Sequence, residues 1–446
     1  MNRLRNWLKG RAADAPVFFS LGSALSSGDV LERIDGLRWL RQAAANKVVA
    51  VWSHDPLDAL ILMMALDGAA RQLLLLPANT TEERALDFAR RSGCTHWTGD
   101  AHELPCCVRL VPGGLAATDT PDIEDTQWVL TTSGTTSTPK LVSHNLAALV
   151  STAKADTGKG SAYCWGLLYD PARFAGLQVV LQALRGGSAL ALAPETVPFE
   201  ERIDFFARVG VNALSATPTL WRKLLMSGRA KYLPLKMATL GGEIADQKVL
   251  TAVQSEFPQA RVRHVYASTE AGVGFSVADG LEGFPAEWLN VPPQDVEIKI
   301  IEGELVLRSA RTAVAYHGGS TLRDAKGWVA TGDRVESDGT RVRFVGRLNG
   351  AINVGGDKVF PEAVERVLMS HPSVATAVVR GKKSTFSGAL VEALVVTALS
   401  QADDAALRRD LLEICRMHLP KHAVPALIRF VSAIEANSSG KQDRSL

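Results

Sequence analysis

The chain has 446 residues, 46% of them hydrophobic, which is enough for a large core shared between more than one domain. A net charge of +2, with Lys and Arg scattered along the chain, excludes a broad electrostatic attraction to nucleic acid or to an acidic membrane. Five cysteines without a CxxC pair make a poor disulfide framework, no apolar run is long enough for a membrane span, and the basic start lacks the apolar core of a signal peptide, so a cytoplasmic protein is expected.

From about residue 47, apolar runs alternate with helical patterns. They predict a strand over 48–52, a helix over 56–66, a strand over 72–76 and a helix over 82–91. Asn145 can cap a helix running to about residue 155. Then come a strand over 188–193, a helix over 199–209, a strand over 213–216 and a helix over 220–226. A strand over 237–240, a helix over 247–257 and a strand over 262–266 follow. This rhythm predicts an α/β fold, with parallel sheets covered on both faces by helices. After about residue 290 the pattern turns β-rich, with a hairpin (296–301 and 304–307, turning at Gly303) and a β segment over 341–345. From about residue 349 to the end, strands and two helices, over 361–369 and 405–417, make a small α+β unit. The expected division is a large N-terminal domain, 1–348, and a small C-terminal domain, 349–446.

The segment 129–145 reads VLTTSGTTSTPKLVSHN. Short hydroxyls and a glycine backbone present many donors to phosphate oxygens, and Lys140 adds a positive charge. A Walker loop is excluded, because Pro139 stands where that pattern needs glycine. The bland alternative is a polar surface loop. Tyr266-Ala267-Ser268-Thr269-Glu270 ends a predicted strand, at the edge where α/β sheets bind ligands. There an aromatic ring can stack on a purine, a hydroxyl can bond a phosphate and a carboxylate can hold Mg2+, although a plain strand-to-loop turn has the same composition. Gly241 and Gly242, before Glu243, permit a flat ligand to approach the backbone closely, and a plain turn fits equally well. Asp333 closes Gly327-Trp-Val-Ala-Thr-Gly-Asp, where a carboxylate can grip ribose hydroxyls or simply form an Asx turn. Lys441 lies in Ser-Gly-Lys-Gln-Asp-Arg near the end of the chain, where a lysine is ordinarily a solvated charge.

Taken in this order, the segments resemble the motifs of the adenylate-forming superfamily. That group includes acyl-CoA synthetases, aryl-CoA ligases, luciferases and peptide-synthetase adenylation domains. The resemblance runs from about residue 40 to the end, and Ser137 and Leu141 replace glycines usual in the family's phosphate loop. It implies that Thr132, Ser133, Gly134, Thr135, Thr136 and Lys140 hold the phosphates of ATP, with Thr135 also counted among the catalytic groups. Gly241, Gly242 and Glu243 would line the adenine and acyl pockets. Tyr266 would pack on the adenine, Ala267 and Ser268 would belong to the ATP/AMP site, Thr269 would contact the α-phosphate, and Glu270 would be the Mg2+ ligand. Asp333 and Arg347, the latter in Phe-Val-Gly-Arg, would bind the ribose. Lys441 matches the lysine that bridges the substrate carboxylate and the α-phosphate.

The resemblance further implies that the small domain rotates after adenylation and admits a thiol. Gly355 and Gly356 would then line the pantetheine tunnel, and Asn349, where the family usually has Asp or Lys, would be the hinge. Arg173 and Gly176 loosely match the acyl-pocket segment, and Arg173 could pair with a second carboxylate or ring hydroxyl of the acid. The implied reaction is ATP-dependent activation of a small-molecule carboxylic acid to an acyl-adenylate, followed by transfer to CoA. One alternative acceptor is the phosphopantetheine of an acyl carrier protein acting in trans. A third reading, a non-catalytic nucleotide-binding protein, sits poorly with Glu270, Asp333, Arg347 and Lys441 occurring together.

Overall fold

The computed structural model describes residues 3–100, 103–112, 125–132, 139–293, 295–317, 321–384, 388–398, 404–434, 440–442 and 444. Two sheets of largely parallel strands dominate its N-terminal part. In the eight-stranded sheet the order runs Gly272–Val277, Arg261–Ser268, Met237–Gly241, Ala213–Ala216, Cys164–Leu167, Ala189–Leu192, Pro16–Ser20, Ser23–Ser26. Its inner neighbours pair in parallel and its two edge strands antiparallel. The seven-stranded sheet is centred on Gln127–Thr131, Gln72–Leu76 and Val48–Trp52, also parallel. Val48–Trp52 and Gln72–Leu76 are buried along their whole length, as continuous apolar strands covered on both faces must be.

Most of the expected strands and helices are present within one or two residues of the expected ends. The helix expected from Asn145 to about residue 155 stops at Leu149. Asn145 does cap it, accepting from the Ala148 N–H at 2.8 Å. Beyond it, Ser151 Oγ turns back onto the Ala148 carbonyl at 2.8 Å, and Val150 and Thr152 are weak helix formers. A long helix over Phe174–Gly186 had no counterpart in the sequence reading. Nine of its residues are buried, so its apolar positions do not form the one-sided stripe that betrays a surface helix. Residues before 47 also fold: Pro16–Ser20 joins the eight-stranded sheet, and Ser26 closes a capping box with Asp29 on the helix Ser27–Gly36.

The β-rich part is a five-stranded antiparallel sheet that includes Glu297–Ile301, Glu304–Arg308, Val329–Ser337 and Arg341–Arg347. After it, Ile352–Val354, Asp357–Val359, Val374–Ser384, Gly388–Thr397 and Leu427–Phe430 form a separate sheet. The helices Pro361–Ser370 and Asp404–His418 pack there, around a core running from Ile352 to Ile428.

Candidate active site

The strands of the eight-stranded sheet end together. Gly241 closes one, Thr217 follows the next, and Tyr266 to Ser268 close a third. The C-terminal tail crosses this edge. The Thr217 hydroxyl donates to the Gly440 carbonyl. The Gln442 N–H donates to Glu243 Oε1 at 2.8 Å, while Glu243 Oε2 accepts from the Thr219 N–H at 3.0 Å. Lys441, between these anchors, passes over Gly242: a Cβ added there would lie 3.7 Å from its Cε. Gly242 also has φ +81°, a conformation that L side chains rarely adopt. Lys441 sits in the field of Arg347, Glu243, Asp333 and Arg173, and burial, ahead of these charges, lowers its pKa from the ordinary lysine range.

The tail is tied equally firmly to the C-terminal unit. Gln442 Nε2 reaches Thr376 Oγ1 at 3.3 Å and the Ala377 carbonyl at 3.4 Å. Arg444 forks onto Glu365, at 2.9 and 3.1 Å, and onto Glu362 at 2.8 Å. The two carboxylates hold the Arg444 guanidinium firmly charged, and Glu365 is only 4% exposed. So Lys441 is delivered by contacts on both sides of it.

Asp333 and Arg347 face each other in cross-strand register, with Arg347 Nε 3.0 Å from Asp333 Oδ1. The other oxygen of Asp333 accepts from the Tyr266 hydroxyl at 2.5 Å. The Tyr266 ring is nearly parallel to Phe275 and Phe344, at centroid distances of 5.2 and 5.1 Å. Burial, then the Asp333 charge, pushes the Tyr266 phenol well above its usual range, so it stays a donor. This anchoring of Asp333 by Tyr266 was not foreseen from the sequence.

Ser133, Gly134, Thr135 and Thr136 lie outside the described residues. The base of their loop is closed by Thr132, whose N–H donates to the Lys140 carbonyl at 2.9 Å and whose hydroxyl accepts the Lys140 N–H at 2.9 Å. The Lys140 ammonium lies 4.5 Å from the centre of the Tyr316 ring. Tyr316 and Arg347 both lie in the field of the Glu270 carboxylate, so the loop base, the Tyr266–Glu270 turn and the Asp333 pair lie near one another. In that turn, Ser268 Oγ accepts from the Ala271 N–H at 2.9 Å, and Ala267 pairs across to Val273. The Thr269 carbonyl receives His144 Nε2 at 2.8 Å.

Arg173 ends its loop as the N-cap of the helix Phe174–Gly186 and donates to Asn79 Oδ1 at 3.1 Å, with Asp170 and Glu195 in its field. Gly176 has a packing reason to be glycine: a Cβ there would strike the Asp170 carbonyl. Gly355 and Gly356 form the exposed turn between Ile352–Val354 and Asp357–Val359, with φ +63° and +101°. Among the described residues no hydrogen bond or ion pair joins that turn to the cleft. Asn349 lies in the short 3-10 turn Leu348–Gly350, directly after Arg347.

The sequence reading points to neither His144 nor Thr217, and it places Glu362 and Glu365 only in a stretch resembling the family's thiol-tunnel segment, not as partners of Arg444. Thr217 carried a usable signal, since a threonine before proline marks a helix start, and Thr217 caps Pro218–Met226. His144 is fully buried against Phe174, and burial pulls its pKa down to about 4. It is therefore neutral at physiological pH, with the proton on Nε2 facing the Thr269 carbonyl. No local pattern announces a role that depends on three distant segments meeting.

A half-buried lysine and a charged arginine beside a cleft suit an anion. One carboxylate, Glu270, suits Mg2+, which takes one or two protein carboxylates with substrate phosphates and water. No cluster of three metal-ligating side chains occurs among the described residues. Also among the described residues, no helix is long and apolar enough to cross a membrane.

Comparison with known proteins points the same way. The family model "AMP-binding enzyme" matches residues 4–316, and "AMP-binding enzyme C-terminal domain" matches residues 363–441. The 2-succinylbenzoate–CoA ligase of Geobacillus kaustophilus is 24% identical over 483 residues, covering 99% of this chain and 96% of that protein. The fatty acid–[acyl-carrier-protein] ligase ScoC of Streptomyces coeruleorubidus is 28% identical, over 60% of this chain and 54% of that protein. The crystal structure of an anthranilate CoA ligase in complex with anthranoyl-AMP superposes with a TM-score of 0.81 at 16% identity, covering 99% of this chain and 95% of that one.

Proposed function

This chain belongs to the adenylate-forming family of AMP-binding enzymes, and within that family we propose an AMP-forming acid–thiol ligase. A carboxylic acid attacks the α-phosphorus of ATP, pyrophosphate leaves, and the acyl group passes from AMP to the thiol of CoA. The observation that carries this reading is the seating of Lys441 over Gly242, in the field of Asp333 and Arg347.

The two reactants are both anionic, so their approach needs fixed positive charge more than it needs a base. A carboxylic acid is already ionised near neutral pH, so no proton has to be removed. Lys441 is assigned to draw the attacking carboxylate and the α-phosphate together. Thr132, Ser133, Gly134, Thr135, Thr136 and Lys140 are assigned to the phosphates. Asp333 and Arg347 are assigned to the ribose, with Tyr266 keeping Asp333 oriented. Gly241, Gly242, Ala267 and Ser268 are assigned to the adenine wall, and Thr269 to the α-phosphate. Mg2+, when bound, neutralises charge on the departing pyrophosphate, and Glu270 is its assigned protein ligand. The small domain is taken to begin at about Asn349, whose turn after Arg347 suits a hinge, and Gly355 and Gly356 are assigned to the thiol path.

Acid-dependent exchange of pyrophosphate into ATP, screened over aliphatic, aromatic and dicarboxylic acids, tests the first step. Exchange with at least one acid is expected, and silence across the panel would defeat the assignment. Similarity to a fatty acid–[acyl-carrier-protein] ligase supports a second reading, in which a carrier protein accepts the acyl group. Thioester yield with free CoA against phosphopantetheinyl carrier protein separates the two.

A further inference from the structure

Lys248 lies near the start of the helix Gln247–Glu256, whose N-cap, Asp246, is paired with Arg222. Its ammonium leaves the N-terminal part of the molecule and reaches the C-terminal unit. It donates to the Val374 carbonyl at 2.6 Å and to the Met369 carbonyl at 3.2 Å. Met369 belongs to the last turn of Pro361–Ser370, where helix carbonyls lack partners within the helix and the dipole presents its negative end. Val374 opens the strand Val374–Ser384, which also holds the Gln442 side chain through Thr376 and Ala377. Glu243, five residues before Lys248, receives the Gln442 N–H. One short segment, 243–248, therefore holds the tail through Glu243 and the C-terminal unit through Lys248.

We infer that Lys248 is a positioning residue for the adenylation step, docking the C-terminal unit at the angle that carries Lys441 into the cleft. Its charged groups nearby are Asp246 and Arg222, and burial, the first influence, lowers its pKa from the lysine range. A cation on two carbonyls is a polar, modest link, strong enough to bias a docking angle and weak enough to release it. The inference rests on the reaction proposed above, so its test carries one readout that does not.

Lys248→Met should lower acid-dependent pyrophosphate exchange about tenfold, a change on the scale of charged hydrogen bonds. Thioester formation from supplied acyl-adenylate should stay at the wild-type rate, and Lys248→Arg should restore exchange. The same Lys248→Met protein should be cut faster by trypsin after Lys441 and Arg444, because its tail is less firmly seated. Wild-type exchange in Lys248→Met, or equal loss of both half-reactions, would overturn the inference. If the wild-type enzyme exchanges with no acid, the reaction assignment falls, and the cleavage rates alone decide whether Lys248 docks the tail.

Discussion

The two sides of the cleft are built by different means. Asp333, Arg347 and Tyr266 are held by strand register and by an aromatic stack inside the N-terminal part. Lys441 comes from a chain end, and its place depends on hydrogen bonds across two surfaces. The first side is preorganised with the fold. The second is an arrangement that separate, individually modest contacts select. In the reaction proposed above, which joins two anions and then admits a thiol, this division would let the Asp333 side stay fixed while Lys441 is withdrawn.

Four substitutions test that contrast, from the largest expected effect to the smallest. Lys441→Ala removes the cation carried by the tail, and the acid-activating step should fall by about a thousandfold or more while transfer from supplied acyl-adenylate persists. Half-reaction rates measured side by side check this, and equal loss of both would mean that the two sides of the cleft are not separable.

His144 belongs to the fixed side. Its folded pKa of about 4 lies below the ordinary value of about 6.5, so the unfolded chain takes up a proton first as pH falls. Stability should therefore be full above pH ~6.5 and drop by about 3 kcal/mol as pH falls towards ~4, because the folded state resists charging a buried ring. Urea midpoints against pH should show this slope, and His144→Gln should flatten it in that window.

Arg444→Met belongs to the tail's side. It strips the partner from the buried Glu365 and should cost about 2 kcal/mol, with adenylation falling about tenfold more than thioester transfer. Thermal melts and half-reaction rates report the two parts independently. The smallest effect is expected at Arg173, where replacement by alanine should lower preference for acids carrying a second carboxylate or a ring hydroxyl by about tenfold or less. An unchanged acid panel would remove Arg173 from the specificity determinants and leave it a partner of Asn79.

Local legibility followed chemical peculiarity. The hydroxyl-rich loop before Lys140, the Tyr266–Glu270 pentapeptide and the Asp333 and Arg347 motifs were readable because each concentrates unusual residue types in few positions. The buried strands at 48–52 and 72–76 were readable because apolar runs flanked by turns have few other uses. The helix Phe174–Gly186 was hidden by burial around most of its circumference, and the helix after Asn145 was overextended because Ser151 competes for a backbone carbonyl. The pairings of His144, Glu362 and Glu365 were illegible, since each joins a partner more than ten residues away in sequence.

By itself, the order of residues determined which chemical groups this protein owns and where its strands and helices alternate, because both depend on composition and on short-range periodicity. Tertiary structure decided that Tyr266 anchors Asp333, that Glu243 holds the tail and Lys248 the C-terminal unit, and that a lysine near the chain end lies over Gly242. Those outcomes rest on distances between segments 67 to 199 residues apart, and such distances are set by how sheets pack and where their strands end, which no local pattern encodes.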